Sequence, residues 1–547
     1  MLNRETHICR SYAQAAFRRA IEPLEPPDFV PNWRDHPSLY KIYKNTERLT
    51  LPLERPRELL SLEQLFARIA SPQAQVNQPK NLQIEELATM LYFAHGVLSR
   101  RLKIHPDQKA QMVARYYRTD LYARGTASGG GLYPTEIYWV CGAGNTVAPG
   151  IYHYDNAHHE LEQLFTGDAT PIVRAAAFEY PAVCHTNQFL LITLNFWKNT
   201  FKYNNFGYHV MTQDIGALLC SLWFLAVGYQ IDWHPLFWYQ DEQLNKLLGL
   251  STDIESVMAL VPLPSLQETP LYAPVSGTPG NGHTPPPMFQ RSEAFRLFEM
   301  GQSAHRATLL ADDPLPAATV RTHATICEEE PGSFEHIPLP PPGLANLQKD
   351  LLETFQMRRS SFGTFSASPP LSQEELATLL YTGALLRNYR SDVKSEADLP
   401  YFTRQAVFIN HVAGIKSGAY SYSASEHCLT VIEEADMALF LQQHYFLQNY
   451  SLAEAAAVIA IIGNLEAMLE VYGNRGYRLL NAEAGLVAQG LYMVSTGLSL
   501  ACGAALGFDN TALNSALGLD QIGQQTLLFV LVGHELGQTG DFDYRLV

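Results

Sequence analysis

Polar and apolar positions along this chain fall into blocks that occur twice. IEELATMLYFAHGVL (84–98) opens on polar residues and closes on an apolar run. SQEELATLLYTGALL (372–386) repeats it almost residue for residue. Each block predicts a helix. Short, continuous apolar runs then follow in the same order in each half: IYWV and QAVFIN, FLLITLNF and AAVIAIIG, VMALVPL and TLLFVLVG. Their length and β-branched content predict strands. Between the second and third runs of each set comes a Gly-Tyr pair, expected as a turn, and then a long apolar helix. The pattern is α+β, with helices packed on a mixed sheet.

The repetition extends further. PGIYHYDNAHHEL (149–161) matches SGAYSYSASEHCL (417–429), and residues 190–250 align with 459–519 without a gap. In that alignment Asn195 pairs with Asn464, Tyr203 with Tyr472, Gly207-Tyr208 with Gly476-Tyr477, and Gly216 with Gly485. Three ordered blocks mark a tandem duplication. Between about 262 and 345 the texture changes: VSGTPGNGHTPPPMF and EHIPLPPPG are loop chemistry, with one short helical stretch, SEAFRLFEMGQ. The expected organisation is an extension over 1–40, a first domain over 41–265, a proline-rich linker over 266–335 and a second domain over 336–547.

Composition agrees with two cores, since 547 residues exceed what one core usually organises. A formal charge of −16 argues against nucleic acid as a partner. The seven cysteines are scattered without a Cys-x-x-Cys pair, which suits reduced thiols better than disulfides or a zinc site. The amino-terminal segment has no signal-peptide core. The most apolar run, GALLCSLWFLAVGYQI (216–231), is shorter than the roughly 20 residues a membrane span needs. It is expected as a buried core helix, in a soluble, cytoplasmic protein with no membrane partner.

The most unusual stretch is GTASGGGLYPTE (125–136). On its own it is a turn, a phosphate cradle, or half of a site completed elsewhere. It lacks the Gly-Lys-Ser/Thr ending of a nucleotide-binding P-loop. His158-His159 and Glu433-Glu434 lack metal-ligand spacing and read as surface charge.

RRSSFGTF (358–365) followed by LSQEELATLLY resembles the opening of the nitroreductase-like flavoproteins. SGGGLYPTEIYWV, PGIYHYD, FKYNNFGYH and VYGNRGYRLLNAEAGLVAQGLYM resemble the SagB/ThcOx-type dehydrogenase branch of that superfamily. The resemblance covers roughly 40–265 and 335–547. It implies two tandem nitroreductase-like domains packed as an intramolecular pseudo-dimer, with FMN at the interface between them. In that superfamily one subunit supplies an Arg-x-Ser phosphate grip and a glycine-containing loop beside the flavin ring. The other supplies a loop across the interface.

Carried onto this chain, the resemblance divides the site between the halves. The second half keeps the grip, Arg358, Arg359 and Ser360, whose donors suit a phosphate dianion. It also keeps Leu506 and Gly507 beside the ring. The first half keeps the cross-interface loop, Ala127, Ser128, Gly129, Gly130 and Gly131. It has ARIASPQAQ in place of the grip and Trp238 in place of Gly507, where an indole would fill the ring's space. The second half has DVKSEADLPYF in place of the glycine loop. The losses are complementary, so one FMN per chain is expected, with a decayed site opposite. Arg545 matches a basic residue that closes over the phosphate. Phe362 and Ala127 depart from the usual pattern.

The heterocycle dehydrogenases carry a Lys-Tyr pair as base, which Lys202-Tyr203 matches; the second half reads Val471-Tyr472. Lys202 is otherwise the cap of a surface turn, and Tyr203, kept in both halves, a packing residue. The resemblance thus implies an FMN-dependent oxidoreductase that oxidises a peptide-like or azoline-type intermediate, a small molecule or modified peptide made with biosynthetic partner enzymes. The alternatives are an NAD(P)H-dependent nitro, quinone or flavin reductase, and a decayed flavoprotein serving as scaffold.

Overall fold

A computed structural model describes residues 2–53, 58–71, 82–102, 120–264, 285–328, 335–394, 400–447, 449–536 and 542–545. Parts of the proline-rich linker (265–284, 329–334) and of DVKSEADLPYF (395–399) therefore lie outside the described residues.

The two EELAT blocks form helices Ile84–His95 and Gln373–Leu385. Each starts at a capping box: the Glu86 carboxylate accepts from the Gln83 N–H at 3.0 Å, and Glu375 from the Ser372 N–H at 2.8 Å. The apolar runs form two sheets. In the first, β1 (Glu47–Thr50), β4 (Thr135–Cys141), β5 (Gly150–Asp155), β6 (Glu160–Thr166), β7 (Gln188–Asn195) and β8 (Glu255–Pro262) lie in the order β1-β6-β5-β4-β7-β8.

The second sheet contains β9 (His336–Pro338), β10 (Phe365–Ser366), β11 (Thr403–Ile409), β12 (Gly418–Ser423), β13 (Cys428–Glu434), β14 (Ala457–Gly463), β15 (Ala501–Ala505) and β16 (Gln525–Glu535). Its central order, β9-β13-β12-β11-β14-β16, is that of the first sheet strand for strand. Strand β15 adds to β16. A third, small sheet joins the halves: β17 (Phe542–Arg545) pairs with β2 (Val97–Leu102), which pairs with β3 (Asp120–Arg124).

The expected mixed sheet is corrected here, because every described strand ladder is antiparallel. Two passes separate β7 from β8, the core helix and the segment 230–254, whereas a parallel neighbour needs a single crossover. The segment's return beside β8 is visible in the Leu236–Leu260 bridge.

Residues 216–229 of the apolar run lie in the 23-residue helix Gly207–Tyr229, and Gln230, in the left-handed region, ends the helix before Ile231. By length and composition the helical stretch Trp197–Tyr229 could cross a membrane, but its whole apolar window is buried inside the fold. The Gly-Tyr pairs lie in the first turn of the core helices Gly207–Tyr229 and Arg475–Gly497 rather than in turns before them. These helices cross where a Cβ on Gly216 would collide with the Ala482 carbonyl, and one on Gly485 with the Gln213 carbonyl. In the gapless alignment Gly216 matches Gly485 and Gln213 matches Ala482. The contact is therefore reciprocal, as at a two-fold interface. Tyr208 stacks on its own counterpart Tyr477, with ring centroids 5.9 Å apart and planes 14° apart. One apolar core runs through the crossing into both halves.

Two segments wrap this pair. The helix His7–Arg18 donates Tyr12 Oη to the Asn205 carbonyl in the first half, and Cys9 N to Asn474 Oδ1 in the second. SEAFRLFEMGQ is helical only from Glu299, in the helix Glu299–Ala307. Ahead of it, the Asp35 carboxylate accepts from Glu293 N and Ala294 N at 2.8 and 2.9 Å and ties this segment to the amino-terminal extension.

Candidate functional site

The loop that leaves β3 carries the glycine run. Gly130 and Gly131 have φ of +67° and +66°, a region that favours glycine. A Cβ on Gly130 would come within 2.5 Å of Tyr203 Oη and 2.8 Å of Lys202 Nζ, whereas one on Gly131 would meet nothing within 4 Å. One glycine is thus packed against the Lys-Tyr pair, and the next turns bare backbone to open space. Each half anchors the loop. From the first, Asp214 on the core helix accepts from Ser128 Oγ at 2.7 Å and Gly129 N at 2.9 Å, and Ser128 Oγ accepts from Tyr133 N at 2.9 Å. From the second, Gln489 accepts from Ala127 N at 2.9 Å and donates to the Gly125 carbonyl at 3.2 Å.

Burial pushes the Asp214 carboxyl up to about 7, against the opposing pull of its two hydrogen bonds. Ionised, it accepts from both Ser128 and Gly129. Protonated, it can accept from Gly129 while donating to Ser128, which then accepts twice and frees its own hydroxyl proton for another partner.

Lys202 and Tyr203 end the helix Trp197–Tyr203, with the Lys202 ammonium 4.8 Å from the Tyr203 ring centroid. The next residue, Asn204, has φ +45° and ψ −133°; its counterpart Gly473 has φ +63° and ψ −154°. The first half thus holds a non-glycine residue in a glycine conformation beside the pair, at a cost of about 1–3 kcal/mol.

Leu506 reaches this place from the second half. It packs with Tyr203, Val210 and Phe206 in a small apolar cluster capped by the amino-terminal helix. Its carbonyl accepts from Arg19, whose guanidinium lies 4.0 Å from the Phe206 ring centroid. At Gly507 a Cβ would press on Leu447 at 2.6 Å and Tyr445 at 3.0 Å. Tyr445 is near enough to Tyr203 for the two phenols to interact electrostatically, although burial is the larger reason its pKa is raised.

The Arg358–Ser360 segment lies alongside. Arg358 is buried, with Nε donating to the Gly125 carbonyl at 2.7 Å and Nη2 to the Arg124 carbonyl at 3.1 Å. In this structure that edge of the guanidinium holds the root of the glycine loop. Arg359, partly exposed, pairs with Glu535 at 2.6 Å. Ser360 Oγ hydrogen-bonds Tyr492 Oη at 2.8 Å, which also accepts from Ala504 N at 2.7 Å. Phe362 is exposed against Tyr450. Arg545 pairs with Ser99, which pairs with Ala123, so its backbone lies two strands, about 10 Å, from the start of the Arg124–Gly125 segment that Arg358 holds.

The corresponding region on the other side is filled by protein. Trp238, at the place of Gly507, is buried with its ring centroid 6.2 Å from that of Tyr472, the counterpart of Tyr203. Its indole N–H donates to the Asp313 carbonyl at 2.8 Å. Asp392 accepts from Phe237 N and Trp238 N, and Tyr472 Oη donates to the Val393 carbonyl. Glu483, at the place of Asp214, pairs with buried Lys394 at 2.7 Å and accepts from Phe402 N and Thr403 N.

The structure therefore brings Ser128 to Gly131, Lys202, Tyr203, Leu506 and Gly507 into one neighbourhood, with Ala127 and Arg358 at the loop's root. Sequence reading missed Asp214, Gln489, Arg19 and Tyr445. For Asp214 a signal existed: it is the only charged residue in its helix, and Glu483 takes its place in the second copy.

Comparison with known proteins places this geometry. Residues 356–534, most of the second half, match the nitroreductase family model. A protein of Methanocaldococcus jannaschii named "putative nitroreductase" is 28% identical over 196 residues, 35% of this chain and 96% of that protein. The crystal structure of a "putative nitroreductase" from Anabaena variabilis superposes with a TM-score of 0.71 at 21% identity. It covers 97% of this chain and 99% of that one, so the whole two-sheet fold is shared.

Proposed function

We propose that the chain is an FMN-dependent oxidoreductase, built as a covalently joined pseudo-dimer with one working site. The observation that carries this reading is the meeting of the first half's glycine loop and Lys202-Tyr203 with Leu506-Gly507 of the second half. The residues suit a flavin at both ends. Gly131 offers backbone without a side chain to a flat ring, Gly130 and Gly507 let Lys202-Tyr203 and Tyr445 pack closely beside that place, and Arg359 and Ser360 offer phosphate donors with Arg545 closing from the tail. Arg358 contributes by holding the loop in place. On the opposite side the buried Trp238 indole, beside Tyr472, stands where Gly507 stands here, and it takes the place of a second ring.

Bound flavin supplies the two-electron chemistry, and the protein supplies position and proton transfer. Lys202 Nζ and Tyr203 Oη, both against Gly130, are the groups placed to take a proton from a substrate carbon. The apolar cluster around Leu506 and Val210 keeps water from that place. We assign the substrate to the azoline class in a peptide-like intermediate, as in SagB/ThcOx-type dehydrogenases, in a cytoplasmic setting with biosynthetic partner enzymes. The names of the relatives favour a second reading, NAD(P)H-dependent reduction of nitro compounds, quinones or flavin.

Anaerobic mixing of the FMN-loaded protein with a thiazoline peptide, and separately with NADPH, distinguishes the two. Bleaching of the flavin band by the peptide, with an azole formed in equal amount, supports the first. Bleaching by NADPH alone supports the second. Failure of apoprotein to bind FMN at all would sink both.

A further inference from the structure

At the β9 edge of the second sheet, three side chains with metal-binding atoms converge. His336 lies on the short edge strand β9, and Glu426 and Cys428 lead from the preceding turn into β13. The Cys428 sulfur is 3.9 Å from His336 Nδ1 and 3.7 Å from Glu426 Oε2. One donor atom from each of the three lies within 4.8 Å of the other two. On a tetrahedral zinc ion, with bonds of about 2.3 Å to sulfur and about 2.0 Å to nitrogen or oxygen, a sulfur and a neighbouring ligand sit about 3.6 Å apart. The sulfur pairs are already close to that spacing.

The first half supplies an independent observation, because the same place in its sheet holds a built-in cation. The two turns correspond closely: His159 and His427 both have positive φ, 56° and 52°, and both bond the tyrosine five residues earlier. In register, Arg48 of β1 faces Glu162 as His336 of β9 faces Thr430. The Arg48 guanidinium gathers Asp155 at 3.2 Å, Glu160 at 3.0 Å and Glu162 at 2.8 Å, tying the edge strand to its neighbour. In the second half an imidazole stands for the guanidinium, the Cys428 thiol for Glu160, and the Glu426 carboxylate for His158. The fixed cation is gone, and the donors that replace it are sulfur, nitrogen and oxygen.

We infer that His336, Glu426 and Cys428 bind one divalent cation of the zinc class, which joins β9 to β13 where Arg48 joins β1 to β6. Thiolate and carboxylate balance the ion's two charges, neutral imidazole is the third ligand, and water completes the tetrahedron. Binding releases the thiol proton. A sulfur and nitrogen donor set selects against magnesium and calcium, which take oxygen ligands.

The test is a cobalt titration of full-length protein stripped with a chelator and kept reduced. One equivalent of Co²⁺ is expected to give a thiolate-to-cobalt charge-transfer band that Zn²⁺ displaces. Cys428→Ser removes the band, and Cys184→Ser, at an exposed thiol elsewhere, leaves it. Glu426→Gln, at an exposed position tolerant of change, weakens binding by roughly tenfold or more. Zinc raises the Tm of the wild type and not of Glu426→Gln. Absence of the band at one equivalent, or a band that survives Cys428→Ser, overturns the site. Zinc that binds without raising Tm overturns the strand-joining role.

Discussion

The two halves of this protein agree where packing decides and differ where a ligand would. Their sheets have the same strand order, and their core helices meet at matching glycines. Around the two crevices the pairs diverge: Gly507 against Trp238, Lys202 against Val471, and Asp214 holding a glycine loop against Glu483 holding Lys394. A pseudo-symmetric core requires both copies, because each core helix buries its face on the other. The places beside Gly507 and Trp238 carry no such demand, so one can take an indole while the other keeps a glycine. The divergence runs in opposite directions, so each half keeps residues that the other has replaced.

The largest expected effect breaks the asymmetry at the chemistry. Lys202→Ala should lower turnover about 10²–10⁴-fold with flavin still bound, read from single-turnover flavin reduction alongside the flavin spectrum. Val471→Ala, at the matching position, should leave the rate unchanged. Full activity in Lys202→Ala would remove the lysine from the mechanism.

Next comes the symmetric part. Gly216→Ala and Gly485→Ala each drive a methyl into the backbone of the facing helix, at a cost of about 3 kcal/mol. Because the contact is reciprocal the two losses should be alike, and urea unfolding of both variants measures this. A clear difference would show that the halves lean on the crossing unequally.

The pH dependence sharpens the contrast between Asp214 and its counterpart. With its pKa raised to about 7 by burial, Asp214 favours the fold when protonated. That contribution is complete below about pH 4 and is lost as pH rises through 7. The amide introduced by Asp214→Asn mimics the protonated form, accepting from Gly129 and donating to Ser128. The variant should be more stable than wild type at pH 8 by on the order of 2–4 kcal/mol, and the gap should narrow as pH falls below 7 and close below about pH 4. Parallel stability curves over that range would contradict the assignment.

The smallest effect concerns the strained turn. Asn204→Gly gives the first half the residue that the second already has at Gly473, and should stabilise the fold by about 1 kcal/mol in thermal unfolding. If the strain helps to hold the Lys-Tyr pair, turnover should fall while Tm rises.

Much of this arrangement was legible in the sequence. Apolar runs located the strands because buried strands need them, and the repeat located equivalent positions without any structure. Glycines marked the loop because positive φ and close approach exclude other residues. Long-range pairings were not legible. Nothing in RRSS says that Arg358 turns to the carbonyls of Arg124 and Gly125, or that Arg19 reaches Leu506. The strands were expected in a mixed sheet because an apolar run carries no direction. The helix expected from Ser292 begins at Glu299, and the contact of a distant carboxylate, Asp35, with the amides of Glu293 and Ala294 ahead of it has no local sign in the sequence.

One composite flavin site per chain implies a single binding equivalent, which flavin stoichiometry measures. Apoprotein titrated with FMN, followed by quenching of flavin fluorescence, should reach its end point at one equivalent, and Gly507→Trp should abolish binding by placing there the indole that Trp238 supplies in the other half. An end point at two equivalents, or undiminished binding by Gly507→Trp, would contradict the account.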